Sequence, residues 1–201
     1  MNTLLLIDFH NTVMRSLSVH KFLVWEGEYT GGIYGVFGQL VGIIHRHKPD
    51  AILNCTDAKP YLREKLYPGF KGDRKKKTYK EEEGFDFYEA LNQNISSTLK
   101  LLDTLNIPTW KIAGLEADDL IASASLYYKD QYDKIIILSN DTDLNQLLVH
   151  LNIFMYKKQK LYGCKEFQKE FPIDPDQWVD YTAMVGTHNG VPGIKGIGRK
   201  T

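Results

Sequence analysis

The chain has 201 residues, 43% of them hydrophobic and 12% aromatic, a globular composition long enough for one good core and a small appended element. Its 25 basic and 25 acidic side chains leave no net charge, which argues against a generic nucleic-acid coat. No apolar run approaches the ~20 residues of a membrane span, the N-terminus does not read as a secretory signal, and Cys55 and Cys164 lack metal-ligand spacing, so free thiols in a reducing cytosol are expected.

Residues 4–7 are an apolar run that reads as a first strand. A helix should then carry Tyr34, Phe37, Leu40, Val41 and Ile44 on its inner face and stop before Pro49. Residues 51–55 read as the second strand. Strand, helix, strand in this order predicts right-handed crossovers and a layered α/β domain with a mainly parallel sheet. From Asp57 to about Phe87 the alternation breaks, over a stretch too long for an ordinary connection of ~4–6 residues, so an insertion is expected there. A helix resumes at Tyr88, with Leu91, Ile95, Leu99, Leu102 and Leu105 on one face. Residues 109–112 and 135–138 predict two more strands, with a helix over 117–128 between them that turns Leu120, Ile121, Ala124 and Tyr127 inward. A helix over 144–149, an edge-like strand over 152–156 and a helix over 176–185 follow. The glycine-rich turn from Gly190 to Gly198 comes last.

Seven carboxylates sit where these strands end: Asp8, Asp57, Glu116, Asp118, Asp119, Asp141 and Asp143. Strands of a parallel sheet present ligand-binding residues just past their carboxyl ends. If the four strands are neighbours, the acids converge on one edge, where they would repel each other without cations. Hard oxygen donors select Mg²⁺ or Mn²⁺, so the pattern points to metal-dependent phosphoryl transfer. Each motif has a plainer reading. Acids in a first helical turn complement the helix dipole, and an Asp after a strand caps a turn. Four strand ends with the same pattern exceed what those needs explain.

The balanced total hides segregation. Between Lys59 and Lys80, Lys59, Arg63, Lys65, Lys71, Arg74, Lys75, Lys76, Lys77 and Lys80 stand against only Glu64 and Asp73. Such a run is usually a solvated face, but Tyr61, Tyr67, Phe70 and Tyr79 are interleaved with it. Aromatics that stack bases beside cations that track phosphates suit single-stranded nucleic acid. The segment Gly193-Ile194-Lys195-Gly196-Ile197-Gly198 fits any tight turn, and also a hairpin whose backbone N–H groups hold a phosphate.

Together these residues resemble the 5′ nuclease family: flap endonucleases, phage 5′–3′ exonucleases and the 5′ nuclease domain of DNA polymerase I. Asp8, Asn11 and Arg15 match its opening motif, and Asp57 its second metal aspartate. Tyr67 to Arg74 is similar to the base of its helical arch, where Phe70, Lys71 and Arg74 would meet the scissile nucleotide and Lys75, Lys76 and Lys77 would add DNA contacts. Glu116, Asp118 and Asp119 fit its Glu-Ala-Asp-Asp motif, and Asp141 and Asp143 its next acidic pair. Gly193, Lys195, Gly196 and Gly198 are similar to its DNA-gripping helix–three-turn–helix, which is helped by a monovalent cation, K⁺.

The resemblance implies a three-layer α/β/α, PIN-like (resolvase-like) catalytic domain over 1–172, with the arch at about 57–87. Residues 173–201 would begin a truncated helix–three-turn–helix. It implies divalent-metal-dependent cleavage of DNA, and of RNA–DNA hybrids, near 5′ ends or flaps. Arg15, Lys71 and Arg74 would clamp the phosphate and Phe70 would stack the terminal base. A monomer in the cytoplasm of a bacterial or phage-infected cell is expected. One departure stands out: the family places two more aspartates just before the glycine turn, whereas no Asp or Glu follows Asp180 here. Thr187 and Asn189 take their places. One strong metal site and a weak second are therefore expected, and the alternative is a structure-specific DNA-binding homologue with weakened catalysis. A toxin-like PIN ribonuclease would need neither arch nor glycine hairpin.

Overall fold

The computed structural model describes residues 2–67, 85–186 and 192–198. Six strands form one sheet in the order β5-β4-β1-β6-β7-β8: β1 (Thr3–Asp8), β4 (Ala51–Cys55), β5 (Thr109–Trp110), β6 (Lys134–Leu138), β7 (Ile153–Lys157) and β8 (Lys160–Tyr162). Five of them run parallel, and β8 returns antiparallel along β7. A two-stranded hairpin, β2 (Val24–Trp25) and β3 (Glu28–Tyr29), stands apart.

The central strands are apolar throughout because both of their faces are covered. Leu5, Ile7, Ile136 and Leu138 pack under α1 (Phe9–Val19), α2 (Gly31–His47) and α4 (Phe87–Thr104), with Val13, Leu40, Ile43 and Leu102. The alternate residues Leu4, Leu6, Ile135 and Ile137 face the other layer. That layer is built from α5 (Ala117–Tyr128), a 3₁₀ turn over Thr142–Val149, α6 (Cys164–Glu170) and α7 (Trp178–Val185). The architecture is three layers, α/β/α. α3 (Leu62–Leu66) begins the insertion, whose base is tied down by Ala58 N–H donating to the Leu115 carbonyl (3.0 Å) and Leu62 N–H to the Gly114 carbonyl (2.9 Å).

Several expectations need correction. The inner face of α2 carries Val36, Leu40 and Ile43, while Tyr34, Phe37, Val41 and Ile44 are exposed. The helix is apolar on both sides, so periodicity alone offered two faces and the reading took the bulkier one. In α5 Tyr127 points out, at 70% exposure, and Leu105, just past the end of α4, is exposed. The strand expected at 109–112 is two residues long and lies at the sheet edge, so Ile112 is solvent-facing. The strand expected as edge-like at 152–156 is internal, because β8 covers it. The hairpin β2–β3, α1, β8 and α6 are elements the sequence reading did not place.

Candidate metal centre

β4, β1 and β6 are adjacent, with register pairs Asp8↔Cys55 and Ile7↔Leu138. Their carboxyl ends therefore lie side by side, which brings Asp8, Asp57 and Asp141 to one edge. The start of α5 brings Glu116 and Asp118 to the same edge.

Asp8 is 4% exposed. Its Oδ1 accepts from the Asn11 backbone N–H (3.3 Å), capping α1, and its Oδ2 accepts from Ser139 Oγ (2.6 Å). Ser139 Oγ in turn accepts from the Asp141 N–H (3.0 Å), and Asp141 Oδ1 accepts from the Asp143 N–H (3.0 Å). Asp57 accepts from the Ala117 N–H (2.8 Å) and from Tyr61 Oη (3.0 Å), which links β4 to α5. Of the seven acids expected to converge, Asp8, Asp57, Glu116, Asp118 and Asp141 meet at this edge, while Asp119 is turned to Arg63.

The electrostatics carry the same signature. Burial, opposed by the Ser139 and Asn11 hydrogen bonds and reinforced by Asp141 and Asp57, pushes the Asp8 carboxyl up to about 7. Burial and then the charges of Asp8, Asp141, Glu116 and Asp57 push Asp118 up to about 8. Asp118 is thus the carboxylate that feels four others. Burial, with the Asp8 charge, also pushes the Cys55 thiol up to about 12, which leaves it a packing residue.

Arg63 is the residue the sequence reading passed over. It was one cation among many in the insertion, and nothing in the spacing marked it. In the structure its guanidinium bonds Glu116 Oε2 through Nη1 (2.6 Å) and Asp119 Oδ1 through Nη2 (2.6 Å). Burial lowers its pKa, but the bonds and charges of Glu116 and Asp119 outweigh that and raise it. Asp119 Oδ2 also accepts from the Glu116 N–H (3.0 Å), so this acid does cap its helix, as the plainer reading held. Among the described residues no three acids stand in a ready-made ligand cage. Asp8, Asp57, Glu116, Asp119 and Asp141 are each engaged by a protein donor instead.

The donor set fits a hard divalent cation. It is all oxygen, burial and then their mutual charge drive Asp8 and Asp118 toward the neutral form, and the buried Asn140 Oδ1 beside them has no hydrogen-bond partner. Arg15 lies on the exposed side of α1, one turn beyond Asn11. In the glycine turn, a Cβ on Gly193 would come within 2.3 Å of the Val185 backbone carbon, and Gly196 has φ +89°, so glycine is required at both. The Ile194 N–H donates to the Met184 carbonyl (2.7 Å), folding the turn onto the end of α7, and Lys195 and Gly198 are exposed there. Phe70, Lys71, Arg74, Lys75, Lys76 and Lys77, with Thr187 and Asn189, lie outside the described residues.

A three-layer α/β/α sheet with buried carboxylates from neighbouring strand ends defines a class: resolvase-like domains with an acidic site suited to divalent cations. Residues 3–172 match the profile of the 5′-3′ exonuclease N-terminal resolvase-like domain, and the chain belongs to that family. It is 30% identical over 206 residues to the 5′-3′ exonuclease of Aquifex aeolicus, covering 100% of this chain and 68% of the relative. It is also 30% identical over 200 residues to the thermostable DNA polymerase I of Thermus aquaticus, covering 98% of this chain and 23% of that one. Against the 5′-3′ exonuclease of Buchnera aphidicola from Acyrthosiphon pisum, 30% identical over 180 residues, the match spans 88% of this chain and 59% of the relative. The fold is that of the bacteriophage T5 D15 protein crystallised with metal ions: TM-score 0.79, 21% identity, 99% of this chain and 72% of that chain. The T5 D15 flap endonuclease in complex with DNA and metal ions gives 0.77 at the same identity and coverage. Among the described residues no helix is long and apolar enough to cross a membrane.

Proposed function

We propose that this chain is a divalent-metal-dependent 5′ nuclease that hydrolyses phosphodiesters of DNA, and of RNA–DNA hybrids, near 5′ ends or flaps. Family membership and the metal- and DNA-bound T5 structures support this reading. The observation that carries it is the gathering of Asp8, Asp57 and Asp141, from three neighbouring strand ends, around the start of α5, where burial first and then their charges and that of Glu116 hold the Asp118 carboxyl up. Burying so many anions together is costly unless a cation is part of the working state.

Asp8, Asp57, Glu116, Asp118 and Asp119 would hold the first Mg²⁺ or Mn²⁺, with Asp141 and Asp143 toward a weaker second. When bound, such cations polarise the phosphoryl oxygens and make water more acidic. The chain's own residues do the rest. Arg15, Lys71 and Arg74 clamp the phosphate so that it is held near its attack geometry. Phe70 stacks the terminal base, and Lys75, Lys76 and Lys77 track the strand. Gly193, Lys195, Gly196 and Gly198, with K⁺, hold the duplex backbone through N–H groups that a side chain at Gly193 or Gly196 would displace. Residues 1–172 would be the catalytic unit and 173–201 the start of the duplex-gripping element, acting as a monomer.

The test is cleavage of a 5′-labelled flap duplex with Mg²⁺, Mn²⁺ or EDTA, alongside Asp118→Asn. Short 5′ products that need the metal and Asp118 are expected. Tight flap binding with no cleavage in either metal would instead favour the binding-only homologue.

A further inference from the structure

A second charged feature lies outside the acidic site. α2 ends in His45-Arg46-His47-Lys48, and the turn between β7 and β8 reads Lys157-Lys158-Gln159-Lys160. Between them runs a groove of about 620 Å³ lined by Arg46, His47, Lys158, Gln159, Lys160 and Leu161. None of these residues is acidic. Cations at a helix C-terminus complement the helix dipole, which accounts for the α2 wall and leaves the lysines of the opposite wall unexplained.

The groove is built rather than incidental. Arg46 Nη1 donates to Tyr156 Oη (2.8 Å) and to the Gln159 carbonyl (3.1 Å), and Nη2 donates to Gln159 Oε1 (3.1 Å). These bonds pin the hairpin to the helix. Lys158 and Gln159 both take left-handed φ, +49° and +61°, the signature of a tight two-residue turn, and the turn fixes where Lys158 and Lys160 stand. Burial lowers the His47 pKa, and Lys134 and Arg46 lower it further, so cations crowd here.

Position matters as much as charge. β7 is the parallel neighbour of β6, so its carboxyl end lies at the same sheet edge as Asp141, and the groove runs from there toward the end of α2, which leads into the start of β4 at the opposite edge. Lys157, the last residue of β7, donates to Asn145 Oδ1 (3.0 Å) and feels the charge of Asp141. The next three residues turn into the groove. Its cations come from two elements and are spread along the walls, and the imidazole of His47 in its lining is already packed edge-on against Tyr156. Spread cations with so little open stacking surface suit a phosphate backbone rather than bases or a single small anion.

We propose that this groove binds the sugar–phosphate backbone of the DNA on which the acidic site acts, without regard to sequence. The inference rests on the function proposed above. It is tested by fluorescence anisotropy with a labelled 5′-flap duplex in EDTA, so that nothing is cut, between 50 and 200 mM salt. Lys158→Gln/Lys160→Gln should lower the slope of log affinity against log salt by about 2, because each phosphate contact contributes about one counterion. Lys158→Arg/Lys160→Arg should restore it. Lys129→Gln, which removes a lysine paired with Asp130 (2.9 Å), should leave it unchanged. Thermal unfolding reports whether each variant is folded. Arg46 is left intact because its three bonds hold the hairpin. If wild type binds with a steep salt slope and the glutamine pair binds identically, the groove is not a DNA contact and only this inference falls. If wild type shows no salt-dependent binding, the nuclease reading falls with it.

Discussion

At the scale of single residues the protein is shaped by carboxylates held where carboxylates resist charging. Asp8 and Asp118, pushed up to about 7 and about 8, keep protons in the folded state that the unfolded chain, with ordinary values near 3.8, has already released. The folded form therefore binds more protons than the unfolded one between those limits. In EDTA, the contribution of these groups to stability is best below about pH 4, falls as pH rises, and levels off above about pH 8. Thermal midpoints from pH 5 to 9 should show that fall, and millimolar Mg²⁺ should reverse it at the alkaline end. A flat profile in EDTA would mean the acids do not repel one another as described. Asp118→Asn should raise the metal-free midpoint at pH 8 by about 2–4 °C or more, the equivalent of about 1 kcal/mol at this size, while abolishing most of the metal-induced rise. Arg63 works in the opposite sense. It is the cation that occupies Glu116 and Asp119 when no metal does. Arg63→Gln should cost the metal-free protein about 1 kcal/mol or less, since the arginine is 44% exposed and solvent screens the pair. The same change should tighten Mn²⁺ binding severalfold, because a competing positive charge is gone; calorimetric titration decides it, and weaker binding would contradict the competition.

At the scale of elements, α2 offers the sharpest test because sequence and structure disagree on which side is buried. Ile43 is fully buried and Ile44 is 41% exposed. Ile43→Ala should cost about 2–5 kcal/mol, and Ile44→Ser should stay within about 0.5 kcal/mol; equal losses in urea unfolding would mean the helix is rotated. The same helix shows why parts of the fold were hard to read. Tyr34, Phe37, Val41 and Ile44 keep helical spacing as well as Val36, Leu40 and Ile43 do, so the pattern cannot say which stripe meets the sheet. The strands β1, β4 and β6 were legible because they are short, wholly apolar and end in acids, a combination that burial on both faces explains. β2, β3 and β8 were not, since strands of two or three partly exposed residues carry no periodicity. Within the site, Asp8, Asp57, Glu116, Asp118 and Asp141 could be read from their strand ends. Arg63 could not, because its importance lies in reaching 53 positions along the chain to Glu116, and nothing local encodes that.

At the scale of the molecule, the acids are distributed unevenly between two cation positions. On the function proposed above, five carboxylates would serve the first and two would lean toward the second, and no acid lies between Asp180 and the glycine turn to complete it. Titration with Mn²⁺ should give one tight site and at most one weak one; two sites of similar affinity would show that neutral oxygens suffice. The order of the sheet has a further consequence, and it concerns time. β1 is made before β4 and β6, yet it pairs with both, and Asp8 meets Ser139 across 131 positions of sequence. At translation speeds of about 5–20 residues per second, roughly 7–26 seconds separate the synthesis of the two ends of that one hydrogen bond. A chain still on the ribosome short of β6 has no acidic pocket to fill. On the function proposed above, cleavage would begin only once β6 has closed against β1.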